Sequence, residues 1–171
     1  KLWTRDEARA AMTELCQYVD VCISNEEDAK DVFGIEAENT DITGGELNKE
    51  GYKSVAKQLA DKFNFEMVAI TLRESKSAFD NDWSAMLYNV AKDEYCFSKL
   101  YHLHIIDRIG GGDSFASGLI YGLMTTGDAQ QAVNFGVAHG ALAMTTPGDT
   151  SMASLKEVEN VMKGAGARVQ R

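Results

Sequence analysis

The chain has 171 residues, of which 44% are apolar, and its 26 acidic and 17 basic residues give a formal net charge of −9. A chain of this length can bury a hydrophobic core, so we expect residues 1–171 to form a single domain. Because the balance is acidic and no cluster of lysines and arginines occurs, nucleic acid and anionic membrane surfaces are excluded as expected partners.

Cysteine usage and the first residues indicate the cellular compartment. The three cysteines, Cys16, Cys22 and Cys96, are odd in number and show no CxxC spacing, so we predict neither a disulfide framework nor a zinc site. The chain opens without a signal peptide and without an initiator Met, so it could begin at a cut. We expect a reduced, cytoplasmic protein.

The first half of the chain alternates helical and strand patterns. Helices are predicted from Thr4 to about Tyr18, over Ala29–Phe33 after an opening at Asn25–Asp28, and over Lys49–Asn64; strands are predicted at Val19–Ile23 and Met67–Leu72. Residues 36–49 are polar and contain glycine, which is typical of a loop. The order of these elements indicates an α/β layered domain.

The second half begins with strands and ends with helices. Residues 73–82 are predicted as a polar turn, 84–90 and 95–106 as antiparallel strands, 113–124 and 128–145 as helices, and a last helix starts at Ser154 before a frayed tail. Residues 129–148 contain no charged side chain, but their Gln, Asn and His residues are too polar for lipid. This stretch therefore predicts a helix buried in protein, and no membrane span.

The segment Ile105–Phe115 joins the end of a strand to three consecutive glycines and the start of a helix. Free amides and the helix dipole favour an anion at such a place, so the segment predicts a phosphate site. Asp113 follows directly and could accept the proton of an attacking hydroxyl, while the amides of Gly110, Gly111 and Gly112 stabilise the transferring phosphoryl group. The spacing lacks both the P-loop Lys and the GxGxxG pattern. A strand-to-helix turn in which Asp113 only caps the helix therefore stays open.

The residues Asp107–Gly118 also resemble a known signature. They are similar to the C-terminal Asp-Thr-x-Gly-Ala-Gly-Asp-x-Phe-x-x-Gly of the ribokinase-like (PfkB) carbohydrate kinases. The resemblance implies a ribokinase-like α/β/α fold, with a mostly parallel central sheet and an antiparallel edge, and an ATP-dependent carbohydrate kinase. It implies that Asp113 is the catalytic base and that Gly110–Gly112 form the anion hole. Arg108 replaces the signature Thr, beside which some relatives bind a monovalent cation.

Asn25-Glu26-Glu27-Asp28 resembles the Asn-x-x-Glu motif with which the family helps to hold Mg-ATP. The resemblance implies a nucleotide contact at Asn25 and a Mg²⁺ contact at Asp28. Because Asp28 is one methylene shorter than the usual Glu, we expect the contact to run through water, with Glu27 contributing. From the residues alone, an acidic helix N-terminus explains the same pattern.

Two further stretches resemble nucleotide contacts of the family. Ile70–Glu74 is similar to the strand end at which the family has a Thr-Leu-Gly nucleotide contact. The resemblance implies nucleotide binding by Thr71, Arg73 and Ser75. Arg73 replaces the glycine, and its guanidinium could contact a phosphate. Residues 132–146 resemble the helix beside the adenine, with Val137 as a lining residue. We predict that His139, on an apolar helix, is a core histidine.

Within the family, Leu2–Trp3, Thr71–Ser75, Trp83–Met86 and Gly148–Asp149 resemble the bacterial 2-dehydro-3-deoxygluconokinase subgroup. This implies transfer of the ATP γ-phosphate to the primary hydroxyl of a small sugar acid, 2-dehydro-3-deoxy-D-gluconate. The resemblance covers the C-terminal half of such a kinase, without the N-terminal sugar-binding half and lid. The alternatives are a ribokinase- or fructokinase-type substrate, or a catalytically silent ATP-binding module. An isolated half would expose a strand edge that permits a homo-oligomer.

Overall fold

The computed structural model describes residues 3–36 and 49–164. Its helices are α1 (Arg5–Leu15), α2 (Glu26–Phe33), α3 (Lys49–Phe63), α4 (Gly111–Thr126), α5 (Ala129–Met144) and α6 (Leu155–Met162). Its strands are β1 (Val21–Asn25), β2 (Met67–Ser75), β3 (Asp80–Asn89), β4 (Glu94–Phe97) and β5 (Tyr101–His104). The predictions for Leu2, for most of the loop at 36–49 and for the C-terminal tail lie outside the described residues.

The strands form one mixed sheet in the order β1-β2-β3-β4, and β5 also pairs with β3. β1 and β2 are parallel, in a register that runs from Val21 opposite Met67 to Asn25 opposite Thr71. β3 and β5 are antiparallel, with Trp83 opposite Tyr101. Parallel pairing in one part of the sheet and antiparallel pairing in another confirm the predicted α/β class.

Two predicted boundaries in the strand regions are wrong. β1 begins at Val21 and not at Val19, because the Val19 amide donates to the carbonyl of Cys16 (3.3 Å) and so belongs to the preceding turn. The polar stretch 73–82 is mostly strand, since the turn between β2 and β3 is confined to residues 76–79. The amides of Lys76 and Ser77 both donate to the carbonyl of Asp80 (2.9 and 3.0 Å), which closes the turn.

The predicted strand 95–106 is divided into β4 and β5. At the interruption, the amide of Ser98 still donates to the carbonyl of Ala85 (2.9 Å), but the amide of Ala85 donates to the hydroxyl of Ser98 (2.9 Å) and not to a backbone carbonyl. The Ser98 hydroxyl in turn donates to the carbonyl of Lys99 (2.8 Å). The start of α4 is also corrected: it was predicted at Asp113 but lies at Gly111. Two of the three loop glycines are therefore helical residues.

The chain divides into two compact units, one made of Lys1–Thr71 with Met86–Tyr95 and the other of Leu72–Ala85 with Cys96–Arg171. The single domain expected from chain length stays a prediction. In the first unit, α3 turns an apolar face inward that includes Val55 and Leu59, which are 8% and 0% exposed. The ring of Phe63 lies 4.7 Å from that of Phe33, which joins α3 to α2.

In the second unit, α4 and α5 pack closely because glycines face each other. A Cβ atom on Gly118 would lie 2.6 Å from the carbonyl oxygen of Phe135, and one on Gly122 would lie 2.5 Å from the Cα atom of Ala132. Side chains at these positions would force the helices apart. α6 covers α5 with Val158 and Val161, which cluster with Phe135 and others. This packing fixes the helix whose N-terminus carries the glycine loop.

Candidate functional site

The glycine loop is fixed to the rest of its unit at both ends. The amide of Ile105 donates to the carbonyl of Phe79 (2.6 Å), and the amides of Ile106 and Asp107 donate to the carbonyl of Met144 at the end of α5 (2.9 and 3.3 Å). At the other end, the amide of Ser114 donates to the carbonyl of Gly110 (2.9 Å), which starts the hydrogen bonding of α4. The loop is therefore held by backbone contacts between β5 and α4.

The N-terminus of α4 has the geometry of an anion site. Gly110 is the N-cap, and among the described contacts no side chain caps this helix. Gly111, Gly112 and Asp113 follow as the first three residues, whose amides have no partner within a helix. Gly112 and Asp113 are exposed, and a Cβ atom on Gly112 would meet nothing within 4 Å. Of the predicted Gly110–Gly112 set, Gly111 and Gly112 are thus in the first turn of α4 and Gly110 is its N-cap.

Close packing restricts the first glycine strictly and the second one less strictly. Gly110 has a φ of +79°, in the left-handed region, and a Cβ atom on it would lie 2.6 Å from the carbonyl oxygen of Asp149. A Cβ atom on Gly111 would lie 2.8 Å from the Cγ atom of Met144, a side chain that can shift. A larger residue at Gly110 would therefore displace either the loop or the backbone of the segment after α5.

Asp107 and Arg108 connect the loop to two other segments. One carboxylate oxygen of Asp107 accepts from the amide of Ile109 (3.1 Å), and the other accepts from the amide of Gly148 (3.2 Å). These backbone hydrogen bonds hold the pKa of Asp107 below its ordinary value. The Arg108 guanidinium donates to the carbonyl of Ala78 (2.7 Å). The sequence interpretation missed the role of Asp107, although its place at the start of the signature could have indicated it.

In the first unit, the structure brings Asn25, Glu27, Asp28 and Thr71 to the end of the parallel strand pair. Asn25 is opposite Thr71 in the register of β1 and β2. The side-chain oxygen of Asn25 accepts from the amides of Glu27 (2.8 Å) and Asp28 (2.9 Å), and Asp28 Oδ2 accepts from the amide of Asn25 (3.0 Å). Ligand sites of parallel α/β sheets lie at this end of the strands.

The carboxylates of Glu27 and Asp28, at the start of α2, suit a metal ion that keeps most of its water. Among residues 3–36 and 49–164, no group of three or more His, Cys, Asp and Glu side chains is placed to hold a metal ion. Mg²⁺ is ordinarily held by one or two carboxylates, substrate phosphates and several waters. One oxygen of Asp28 is used by the cap, and Glu27 is exposed. The two carboxylates therefore fit a water-mediated contact.

The other predicted nucleotide contacts belong to the same unit as the glycine loop. Arg73 and Ser75 are both exposed at the end of β2. The hydroxyl of Ser75 donates to the Oδ1 atom of Asn81 (2.8 Å), and the Nδ2 atom of Asn81 is buried without a described partner. Val137 is 0% exposed, and its carbonyl accepts from the indole of Trp83 (3.1 Å). Its side chain is therefore a core residue with no surface open to a nucleotide.

His139 is half-buried and is hydrogen-bonded through both ring nitrogens. Its Nδ1 atom lies 3.0 Å from the hydroxyl of Ser117 on α4, and its Nε2 atom lies 2.9 Å from the hydroxyl of Ser151. Burial holds the pKa of His139 below its ordinary value. The predicted hydrogen-bonded histidine is confirmed, but it is half-buried and not a full core residue, and it links α4, α5 and the segment after α5.

A mixed α/β fold with an uncapped helix N-terminus, a glycine loop and an exposed carboxylate in the first turn is typical of α/β proteins that bind phosphate groups. The profile of the pfkB family carbohydrate kinases matches residues 1–156. The chain therefore belongs to the pfkB family of carbohydrate kinases. Within residues 3–36 and 49–164, no helix is long and apolar enough to cross a membrane.

Similar proteins include several that are named as kinases. The chain is 43% identical to the crystal structure of 2-dehydro-3-deoxygluconokinase from Thermotoga maritima, with a TM-score of 0.86, over 95% of this chain and 47% of that one. It is 26% identical to a PfkB family carbohydrate kinase from Listeria grayi, with a TM-score of 0.79, over 95% and 47% of the two chains. A curated relative, 2-dehydro-3-deoxygalactonokinase from Haloferax volcanii, is 26% identical over all of this chain and 46% of its own length. The chain thus spans about half the length of these relatives.

Proposed function

We propose that the chain is the nucleotide-binding and catalytic-base half of an ATP-dependent kinase that phosphorylates the primary hydroxyl of 2-dehydro-3-deoxy-D-gluconate. The observation that carries this proposal is the N-terminus of α4, where open amides stand beside the exposed carboxylate of Asp113. An anion cradle without a carboxylate would serve for binding alone. The adjacent carboxylate adds the group that a hydroxyl acceptor needs when it loses its proton.

The proposed reaction uses Asp113 and the glycine loop as follows. The oxygen of the sugar hydroxyl forms a bond to the γ-phosphorus, the bond from that phosphorus to the bridging oxygen breaks, and ADP leaves. Asp113 accepts the proton of the hydroxyl. The loose transition state of phosphoryl transfer suits a weak base, because the bond to ADP is largely broken before the proton must leave. The amides of Gly110, Gly111 and Gly112 stabilise the charge on the transferring oxygens.

In the second unit, Arg73, Ser75 and the amides of the glycine loop are the proposed nucleotide contacts. In the first unit, Asn25 and Thr71 are the proposed nucleotide contacts. Arg73 would contribute a planar cation that matches a phosphate. The buried Val137 would act only by fixing the packing of α5. Asp28 and Glu27 would hold Mg²⁺ through water, and the bound metal would neutralise phosphate charge during transfer.

The substrate assignment is supported by the names of the relatives and by the Thr71–Ser75 stretch that resembles the same subgroup. The relative from Haloferax volcanii is named as a kinase of the galactonate compound, which makes 2-dehydro-3-deoxygalactonate a second candidate. The two sugar acids differ in configuration at one carbon, so a single pocket could accept either. Ribose and fructose, which are not sugar acids, remain the alternative substrates.

The test is a kinase assay on the complete gene product that contains these residues. Wild-type enzyme is given ATP and, in parallel, each of the two sugar acids, ribose and fructose, and ADP formation is measured. We expect the highest kcat/KM with 2-dehydro-3-deoxygluconate. Equal or higher kcat/KM with ribose or fructose would overturn the substrate class, and preference for the galactonate compound would select the second candidate. No ADP formation with any sugar would overturn the kinase proposal.

Calorimetry on the 171-residue chain decides the remaining alternative. Binding of ATP without binding of sugar is expected for a half that lacks the sugar site, and it would describe a catalytically silent module as long as the chain stands alone. Light scattering on the same sample tests the proposed homo-oligomer. A cytoplasmic location is part of the proposal, since Cys16, Cys22 and Cys96 are free thiols and the reaction consumes ATP.

A further inference from the structure

We infer that Asp107 is a positioning residue for phosphoryl transfer, whose carboxylate joins the glycine loop to the segment after α5 and so keeps the first amides of α4 open to the phosphate. This inference rests on the proposed kinase function and adds a residue to it. Asp107 does not reach the proposed reacting atoms through any described contact, so it acts through Gly110 and its neighbours.

The carboxylate of Asp107 accepts from one neighbouring amide and from one amide that is remote in sequence. Oδ1 of Asp107 accepts from the amide of Ile109, two residues later, and Oδ2 accepts from the amide of Gly148, 41 residues later. The first bond alone would be a local turn, which needs no partner elsewhere. The second bond makes the position of the glycine loop depend on the segment that contains Gly148.

The segment that contains Gly148 also limits the space around Gly110. A Cβ atom on Gly110 would lie 2.6 Å from the carbonyl oxygen of Asp149, the residue after Gly148. Gly110 is therefore packed against the same segment to which Asp107 is hydrogen-bonded. A shift of Gly148 would move Asp149 with it and change the backbone of Gly110, which is the N-cap of α4.

The negative charge of Asp107 strengthens this connection. Hydrogen bonds from backbone amides stabilise the ionised form of Asp107 and hold its pKa below its ordinary value. Hydrogen bonds to an ionised acceptor are shorter and stronger than those between neutral groups. An amide side chain at this position could accept with its one oxygen but would turn an NH₂ group toward the other N–H donor. Asp107→Asn should therefore break one of the two contacts while preserving the size of the side chain.

The test compares Asp107→Asn with Asp128→Asn in the complete gene product. Asp128 accepts from the amide of Gln131 (2.7 Å) as the N-cap of α5, where Asn caps as well as Asp. Misplacement of catalytic groups by about 1 Å can cost about 100-fold in rate. We expect kcat of Asp107→Asn to fall by about 10- to 100-fold with KM for ATP within about twofold of wild type, and Asp128→Asn to keep wild-type kcat. Wild-type kcat in Asp107→Asn would overturn the inference.

Hydrogen exchange separates positioning from general stability and from the kinase proposal. In wild-type protein we expect the amides of Ile109 and Gly148 to be protected, and in Asp107→Asn at least one of them to exchange faster while the amides of α5 are unchanged. Wild-type protein with both amides unprotected would overturn the inference even if no variant folds. Protected amides in a protein that phosphorylates none of the sugars would support the connection between the two segments and reject the kinase function.

Discussion

The helices α2 and α4 both carry an aspartate in the first turn, but this aspartate takes part in a capping box only in α2. In α2, the side-chain oxygen of Asn25 accepts from two amides of the first turn, and Asp28 returns a hydrogen bond to the amide of Asn25. In α4, the N-cap is Gly110, which has no side chain to cap the helix. Asp28 and Asp113 are each the third residue of their helix.

The difference shows that the N-cap residue decides which groups remain available. Where Asn25 is the cap, two amides and one carboxylate oxygen are used within the helix. Where Gly110 is the cap, the first amides and the carboxylate of Asp113 have no such partner among the described contacts. The first arrangement stabilises the N-terminus of a helix with hydrogen bonds from side chains. The second leaves the first amides and the carboxylate of Asp113 without such hydrogen bonds, and these are the groups that we propose for phosphate binding and proton transfer.

The largest expected effect comes from the same substitution at the two third positions. Asp113→Asn removes the proposed base and should lower turnover by about 10²- to 10⁴-fold while ATP affinity is kept. Asp28→Asn should leave turnover within about tenfold and act mainly on KM for Mg-ATP, since Mg²⁺ keeps most of its waters. Steady-state kinetics of both variants in the complete gene product measure the difference. An Asp113→Asn enzyme with wild-type turnover would remove the base assignment.

The second prediction concerns the glycine that replaces a capping residue. Gly110 and Gly127 both have positive φ, but a Cβ atom would meet Asp149 at Gly110 and nothing within 4 Å at Gly127. The left-handed conformation alone costs a non-glycine residue about 1–2 kcal/mol. Gly127→Ala should therefore lose about that much free energy of unfolding, and Gly110→Ala should lose more and also bind ATP more weakly. Denaturant unfolding measures the free energy of unfolding, and calorimetry measures the affinity for ATP. Equal losses of unfolding free energy in the two variants would show that the backbone near Asp149 moves aside without an energetic cost.

Sequence patterns predicted the capped helices well because their signals are local. Thr4, Asn25 and Ser154 each begin a helix with a carboxylate three residues later, and each pair forms a reciprocal capping box. The alternation of helices and strands was likewise enough for the α/β class. By contrast, the start of α4 was placed at Asp113 and not at Gly111, because a run of glycines carries no cap and has low helix propensity.

Contacts between remote segments could not be predicted from local patterns. The hydrogen bond from the Gly148 amide to Asp107 and the approach of Asp149 to Gly110 depend on how α5 ends. Val137 was predicted to line a nucleotide site because it lies on the expected helix, but period and spacing did not show that it faces the core. The chemistry that the residue types indicate for the loop stays a prediction, whereas the burial of Val137 and the contacts between remote segments were visible only in the packed structure.

The third prediction isolates the cap of α2 from its proposed ligand contact. Asn25→Ala removes the acceptor for two amides and should cost about 1 kcal/mol of free energy of unfolding. Asn25→Asp keeps a good cap and should keep the stability, but it removes the side-chain amide and should weaken ATP binding. Thermal unfolding and ATP titration of the two variants separate the roles. If Asn25→Asp binds ATP like wild type, Asn25 is a helix cap and not a nucleotide contact.

The smallest expected effect is the pH dependence of a capped N-terminus. Hydrogen bonds from the hydroxyl and then the amide of Ser154 hold the pKa of Glu157 below its ordinary value. A carboxyl group with a lowered folded-state pKa adds stability above its unfolded pKa and loses it as the pH falls through the folded value. Glu157→Gln keeps a capping box without a titrating group. Wild type should therefore melt slightly higher than Glu157→Gln at pH 7 but not at pH values below the pKa of folded Glu157. A difference in melting temperature that stays constant with pH would mean that the charge of the Glu157 carboxylate adds no stability to its capping box. In that case the absence of a capping box at α4 would cost that helix no charge-dependent stability.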